Sequence, residues 1–121
     1  MEQYEAFVAF QEGSALLDAA EPGAAITALE RARDLEPAQA SIREALGRAY
    51  FASGRFGWAE REFALAVELD PVNDYAHFGL GLARFRRGDV VAARAHLRLA
   101  LAMRPRPEYR RALDRVSAAL S

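Results

Sequence analysis

A chain of 121 residues, 52% hydrophobic and 27% charged, is long enough to bury a continuous core, reads as one domain, and lies far from the composition of a disordered chain. It has no cysteine, which excludes disulfide staples, thiol nucleophiles and thiolate metal sites, and no run approaches the roughly 18 apolar residues of a membrane span. All 16 basic residues are arginine, and the net charge of −1 conceals a dipole: residues 1–70 hold 13 acids and 6 arginines, net −7, while residues 71–121 hold 4 acids and 10 arginines, net +6.

The start is acidic and aromatic (Glu2, Tyr4, Glu5, Phe7) where a signal peptide would be basic, so a cytoplasmic location is expected. Tyr4, Phe7, Val8, Phe10, Leu16 and Leu17 predict a first helix over about Glu2–Ala20, with an apolar face wider than one stripe. Glu21-Pro22-Gly23 breaks it. Proline is tolerated in a first helical turn, so a second helix starts there and runs through Ala25, Ile26, Leu29, Ala32 and Leu35 to Glu36-Pro37. A third helix is expected over Ser41–Ser53, stopped by Gly54, whose tolerance of positive φ suits a sharp reversal. Phe56–Leu69 forms the fourth, closed by Asp70-Pro71. Asn73 or Asp74 offers a side-chain oxygen to cap a fifth over about Tyr75–Arg87. Gly88-Asp89 repeats the stop and the cap, Val90–Met103 is the sixth, and after Pro105 and Pro107 a seventh spans Glu108–Leu120. Its polar face (Arg110, Arg111, Asp114, Arg115, Ser117) and its apolar face (Leu113, Val116, Leu120) fit a terminal lid.

The chain copies itself every 34 residues. Gly13, Gly47 and Gly81 coincide, as do Ala25, Ala59 and Ala93; Ala32, Ala66 and Ala100; Pro37, Pro71 and Pro105; and the large apolar Leu29, Phe63 and Leu97. Glycine inside a helix costs about 1 kcal/mol relative to alanine, so its recurrence argues for close approach of a partner helix. The alanines are expected across that crossing, with the bulky residue one turn later filling the gap.

Leu46-Gly47, Tyr50, Ala59, Phe63, Ala66 and Pro71 stand at the offsets of a tetratricopeptide repeat (TPR), and the chain resembles that family over nearly its whole length. The resemblance implies an all-α, right-handed α-solenoid of about seven helices, with repeats at about 6–39, 40–73 and 74–107 and a capping helix at 108–120. There are departures. The family's tryptophan position holds Ala9, Arg43 and His77, its leucine position holds Glu12 in the first copy, and its tyrosine position holds Arg84 in the third. Glu12 is expected to reach solvent or an arginine.

In that family the concave groove is lined from the first helix of each unit. The matching residues are Phe7, Phe10, Ser14, Leu17 and Asp18; Ser41, Glu44, Arg48, Phe51 and Ala52; and Tyr75, Phe78, Leu82, Phe85 and Arg86, with Tyr109, Ala112 and Val116 from the lid. The resemblance therefore implies an adaptor or chaperone-like module that binds another protein. An apolar peptide or partner helix would lie on Phe7, Phe10, Phe51, Tyr75, Phe78, Leu82, Phe85 and Tyr109, with Glu44, Arg48 and Arg86 as polar contacts. Members that hold acidic chaperone tails use a clamp of lysine, asparagine and arginine. Here those positions are Phe10, Ser14, Ala45, Tyr75 and Gly79, so such a tail is not the expected ligand.

No enzyme, cofactor or metal site is expected. His77 and His96 are the only histidines and lack an acid placed to complete a metal triad, so His77 is expected to pack in the tryptophan slot. No Gly-rich phosphate loop follows a strand. Two other partner classes stay open: a homo-oligomer formed through the groove or by matching the acidic and basic halves, and, more weakly, an acidic partner or nucleic acid on Arg104, Arg106, Arg110, Arg111 and Arg115. Trp58, at the start of the fourth helix, is expected to face outward or towards the next repeat, partly buried there or forming a second contact patch.

Overall fold

The computed structural model describes Met1–Ser121 as seven helices and no strands: α1 (Glu2–Asp18), α2 (Pro22–Leu35), α3 (Ala40–Ala52), α4 (Phe56–Leu69), α5 (Asp74–Arg86), α6 (Val90–Met103) and α7 (Pro107–Ala119). The helix ends follow from local chemistry. Pro22 and Pro107 occupy first turns, and Asn73 and Asp89 accept the backbone N–H of Ala76 and Ala92 at 3.0 and 3.1 Å. Helices α1, α3 and α5 end in the same way. Ala20, Gly54 and Gly88 take φ of 59°, 76° and 90°, and the following N–H reaches back to the carbonyl of Leu16, Tyr50 or Arg84 at 2.8–2.9 Å. This is the left-handed closure glycine favours, and it ends each helix one or two residues earlier than the apolar pattern alone predicts. Ala20 adopts it despite its Cβ.

Consecutive helices pack as hairpins, α1 with α2, α3 with α4 and α5 with α6, and each hairpin stacks on the next. The odd-numbered helices also touch across hairpins (α1 with α3, α3 with α5, α5 with α7), whereas no two even-numbered helices do. The odd row is thus the shorter, concave side of a solenoid. One buried cluster spans α2 to α5 around Leu29, Leu46, Tyr50, Phe63 and Leu80; a second joins α5, α6 and α7 around Phe78, Leu97, Tyr109 and Leu113.

The recurring glycines face the bulky residue of the partner helix more directly than the repeat pattern implied. A Cβ at Gly13 would stand 2.4 Å from Leu29, at Gly47 3.0 Å from Phe63, and at Gly81 2.9 Å from Leu97. Leu29, Phe63 and Leu97, and not the alanines alone, therefore sit over the glycines. Phe63 does double duty, because a Cβ at Gly79 would stand 2.4 Å from its ring. The Cδ1–Cε1 edge of that ring enters a notch between the backbones of α3 and α5 and ties the second hairpin to the third. Burying a ring of this kind stabilises by about 2–3 kcal/mol. Glu12 is exposed, as expected from its charge.

A concave apolar pocket rimmed by arginines

Midway along the odd row, residues from four helices enclose a half-open pocket of about 200 Å3. It is lined by Leu17 of α1, Arg48, Phe51 and Ala52 of α3, Phe63 of α4, and Tyr75, Gly79 and Leu82 of α5. An apolar cavity of about 150 Å3 holds a benzene-sized group, so this one takes a single large side chain. Phe63 is its floor, 2% exposed, and its ring packs directly on the backbone of Gly79, which carries no side chain.

Two guanidiniums stand at the rim. Arg48 lies 5.6 Å from the centre of the Tyr75 ring, and Arg86 lies 5.8 Å from Phe51 and 5.0 Å from Phe56. Resting on aromatic faces holds both cations in place. Both are exposed, and neither is within ion-pair distance of a carboxylate. The nearby Glu44 carboxylate instead accepts a hydrogen bond from the Asn73 side-chain amide at 2.7 Å. Burial raises the pKa of the Tyr75 hydroxyl, outweighing the opposite pull of Arg48, so it remains a protonated donor at neutral pH. A larger hollow of about 540 Å3 lies at the α1 end of the row, where Phe7 and Phe10 face Gln39, Ser41 and Ile42. Phe7 is 54% exposed there.

Two of the expected groove anchors are core residues. Tyr109 has no exposed surface; its ring packs 4.6 Å from Phe78 and its hydroxyl donates to Asp74 at 2.5 Å. Burial, reinforced by that carboxylate, drives the Tyr109 pKa far up. Phe78 is buried between Tyr75 and Tyr109. The cause is the lid: α7 docks on α5 and takes for packing the positions that earlier hairpins leave open. Phe85 is half-buried against the same cluster. Arg104 and Arg106 each place Nε 3.4 Å from Asp74, so two of the five arginines considered as an anionic-partner face already hold a carboxylate.

The pocket thus unites Arg48, Phe51, Tyr75 and Leu82 with Arg86 at its edge, and sets Phe7 and Phe10 in a separate hollow. Phe63 and Gly79 were not among the expected contacts. The signal was present at Gly79, where the three copies read Gln11, Ala45 and Gly79, smallest where the next helix must meet Phe63. Trp58 is 51% exposed and packs edge-on at 5.3 Å against Tyr50 of its own hairpin, not the next, with Arg55 5.5 Å above its ring. The Tyr50 hydroxyl donates to Glu30 at 2.5 Å, and burial together with that carboxylate pushes its pKa up to about 12. His77 and His96, separate in the sequence, meet at 3.4 Å beside Arg84, and no third metal-ligating group joins them. No helix is long and apolar enough to cross a membrane.

Comparison with known proteins bears out the repeat signature. The sequence model of the tetratricopeptide repeat matches residues 10–73 and 45–109. The chain belongs to the tetratricopeptide repeat family. Solved structures with the same fold include the first TPR of Spaghetti (RPAP3) bound to the HSP90 peptide SRMEEVD, at 25% identity and a TM-score of 0.92, covering 98% of this chain and 94% of that one. The Sgt2 TPR domain from Aspergillus fumigatus is 26% identical with a TM-score of 0.90, covering 96% and 79%. The Arabidopsis OM64 TPR domain superimposes with a TM-score of 0.94 at 22% identity, covering 98% and 99%. No curated protein sequence matches the chain.

Proposed function

We propose that this chain is an adaptor that binds a segment of another protein, an apolar peptide or helix, along its concave face without catalysing a reaction. One bulky apolar side chain enters the pocket above Phe63, and a carboxylate of the same segment pairs with Arg48 or Arg86. The observation that carries this reading is the apolar pocket standing between two exposed arginines that have no counter-ion. The Spaghetti domain, with a peptide bound, is a relative in which such a fold serves as a peptide receptor. The clamp positions of this chain hold Phe10, Ser14, Ala45, Tyr75 and Gly79, which favours an apolar anchor over a purely acidic tail.

The test is a peptide-display selection against the wild-type protein, followed by titration of selected peptides into Phe51→Ala and Arg48→Glu. Affinity near micromolar, about −8 kcal/mol, is expected for a short segment. Phe51→Ala weakens it by about 2 kcal/mol, roughly thirtyfold, with the helical circular dichroism spectrum retained. Arg48→Glu weakens acidic peptides more than their amide counterparts. Peptides that bind both variants as tightly as wild type overturn the reading. Phe78, being buried against the lid, is the wrong probe.

A further inference from the structure

The family's tryptophan slot is filled differently in each hairpin. In the first, the equivalent pair is Ala9 and Ala28, both buried. In the second, Arg43 donates from Nη1 to Glu62 at 2.9 and 3.2 Å and from Nε to the Pro37 carbonyl at 3.0 Å. In the third, at the same offsets, His77 Nε2 lies 3.0 Å from the Pro71 carbonyl, His77 Nδ1 lies 3.4 Å from His96 Nδ1, and His96 Nε2 lies 2.9 Å from Arg84 Nη1.

The partners at the two ends of this chain fix every proton in it. A carbonyl only accepts, so His77 carries its proton on Nε2. A guanidinium only donates, so His96 Nε2 is bare. A neutral His96 therefore holds its proton on Nδ1 and donates it to the bare Nδ1 of His77. Three hydrogen bonds are satisfied in one arrangement, and that arrangement requires both rings neutral.

A further proton has no good place. On His96 it goes to Nε2 and faces the Arg84 N–H; on His77 it goes to Nδ1 and faces the N–H of His96. Either step sets two donors against each other and adds a cation beside Arg84. The charged or titratable groups facing His96 are Arg84 and His77 on α5 and Asp89 at the start of α6. Asp89 is the one acid among them, and it caps the Ala92 N–H.

We propose that Arg84, His96 and His77 form an acid-sensitive latch that holds α5 against α6 while both imidazoles are neutral and releases them when His96 takes a proton. Burial first, then Arg84, then His77 lower the His96 pKa from 6.5. A base whose folded-state pKa is depressed contributes stability that is present above its unfolded pKa and is lost as the pH falls through the folded value. The latch is therefore closed above pH 6.5, and it opens as the pH falls through the lower folded-state pKa of His96. The second hairpin, whose slot contains no histidine, stays shut. The latch stands on its own geometry and does not depend on what the groove binds.

Two measurements test it. Long-range proton–nitrogen NMR of the histidine rings in the wild-type protein, with only two rings to assign, is expected to show His96 as the Nδ1–H tautomer, His77 as the Nε2–H tautomer, and a His96 midpoint below 6.5. An Nε2–H tautomer at His96, or a midpoint at or above 6.5, overturns the proposal. Amide exchange is expected to show α5 and α6 opening about tenfold more per pH unit between 6.5 and that midpoint, with α3 and α4 unchanged. Equal loss in both hairpins overturns it. His96→Gln, which offers an acceptor to Arg84 and a donor to His77 but does not titrate, is expected to lose at least half of the drop in melting temperature between pH 7.5 and pH 5; an undiminished drop counts against the latch.

Discussion

The second and third hairpins share one frame and fill it with different chemistry. Gly47 and Gly81, Ala59 and Ala93, Ala66 and Ala100, and Phe63 and Leu97 set the same helix crossings in both. Yet where one holds a buried arginine–carboxylate pair, the other holds two imidazoles. The repeat pattern constrains volume and approach distance at the crossings. It leaves the slot at residues 43 and 77 free, provided whatever enters satisfies its own hydrogen bonds and those of the proline carbonyl six residues earlier. The first hairpin has Gln3, inside α1, at that offset in place of a proline, and it fills the slot with two alanines, which need no partner.

The sharpest way to break this comparison is to strip one partner from the charged slot. Glu62 is 5% and Arg43 15% exposed at the side chain. Glu62→Ala leaves the guanidinium partly buried without its counter-ion and is expected to cost about 3 kcal/mol in chemical denaturation. Adding Arg43→Ala recreates the pair of the first hairpin. The double variant is expected to lose about 1–3 kcal/mol less than the sum of its single variants. Strict additivity would mean that the two charges do not depend on each other.

A smaller effect, of opposite sign, compares all three hairpins at their first helix end. Ala20, Gly54 and Gly88 are all left-handed, and only the first carries a Cβ. Ala20→Gly is expected to stabilise the chain by about 1 kcal/mol, and Gly54→Ala to destabilise it by a similar amount, read as opposite shifts in melting temperature. Shifts of the same sign would place the strain elsewhere.

Helix order, the stops at Gly54 and Gly88 and the spacing of the crossings were legible in the sequence because small and turn-forming residues act locally and recur at 34 residues. The groove was legible only where a hairpin has no helix packed on its inner face. Arg48, Phe51, Tyr75 and Leu82 meet as the pattern placed them; the lid helix was legible too, but not that its docking on α5 would bury Phe78 and Tyr109. Phe63 and Gly79 escaped notice because their contact joins two repeats, 16 residues apart, and a search within each repeat does not compare them. The slot pairs were hidden for a related reason. Residues 43 and 62, and 77 and 96, lie 19 apart on the two arms of one hairpin, and neither arginine with glutamate nor two histidines is a recognised motif at that distance.

The smallest expected change at neutral pH is the most discriminating one. Transplanting the second hairpin's pair into the third, as His77→Arg with His96→Glu, keeps a donor aimed at the Pro71 carbonyl, as Arg43 is at Pro37. It also places a carboxylate beside Arg84, which gives the new acid two cationic partners. A buried ion pair gains about as much from its Coulomb attraction as it loses by desolvation, so stability at pH 7.5 is expected to change by no more than about 1 kcal/mol. What changes is the slope. With no histidine left in the chain, the loss of melting temperature between pH 7.5 and pH 5 should shrink to that of the remaining carboxylates, and α5 and α6 should then open no sooner than α3 and α4. A transplanted chain that kept the wild-type acid response would locate the sensitivity outside the slot, and the two hairpins would then differ in composition without differing in behaviour.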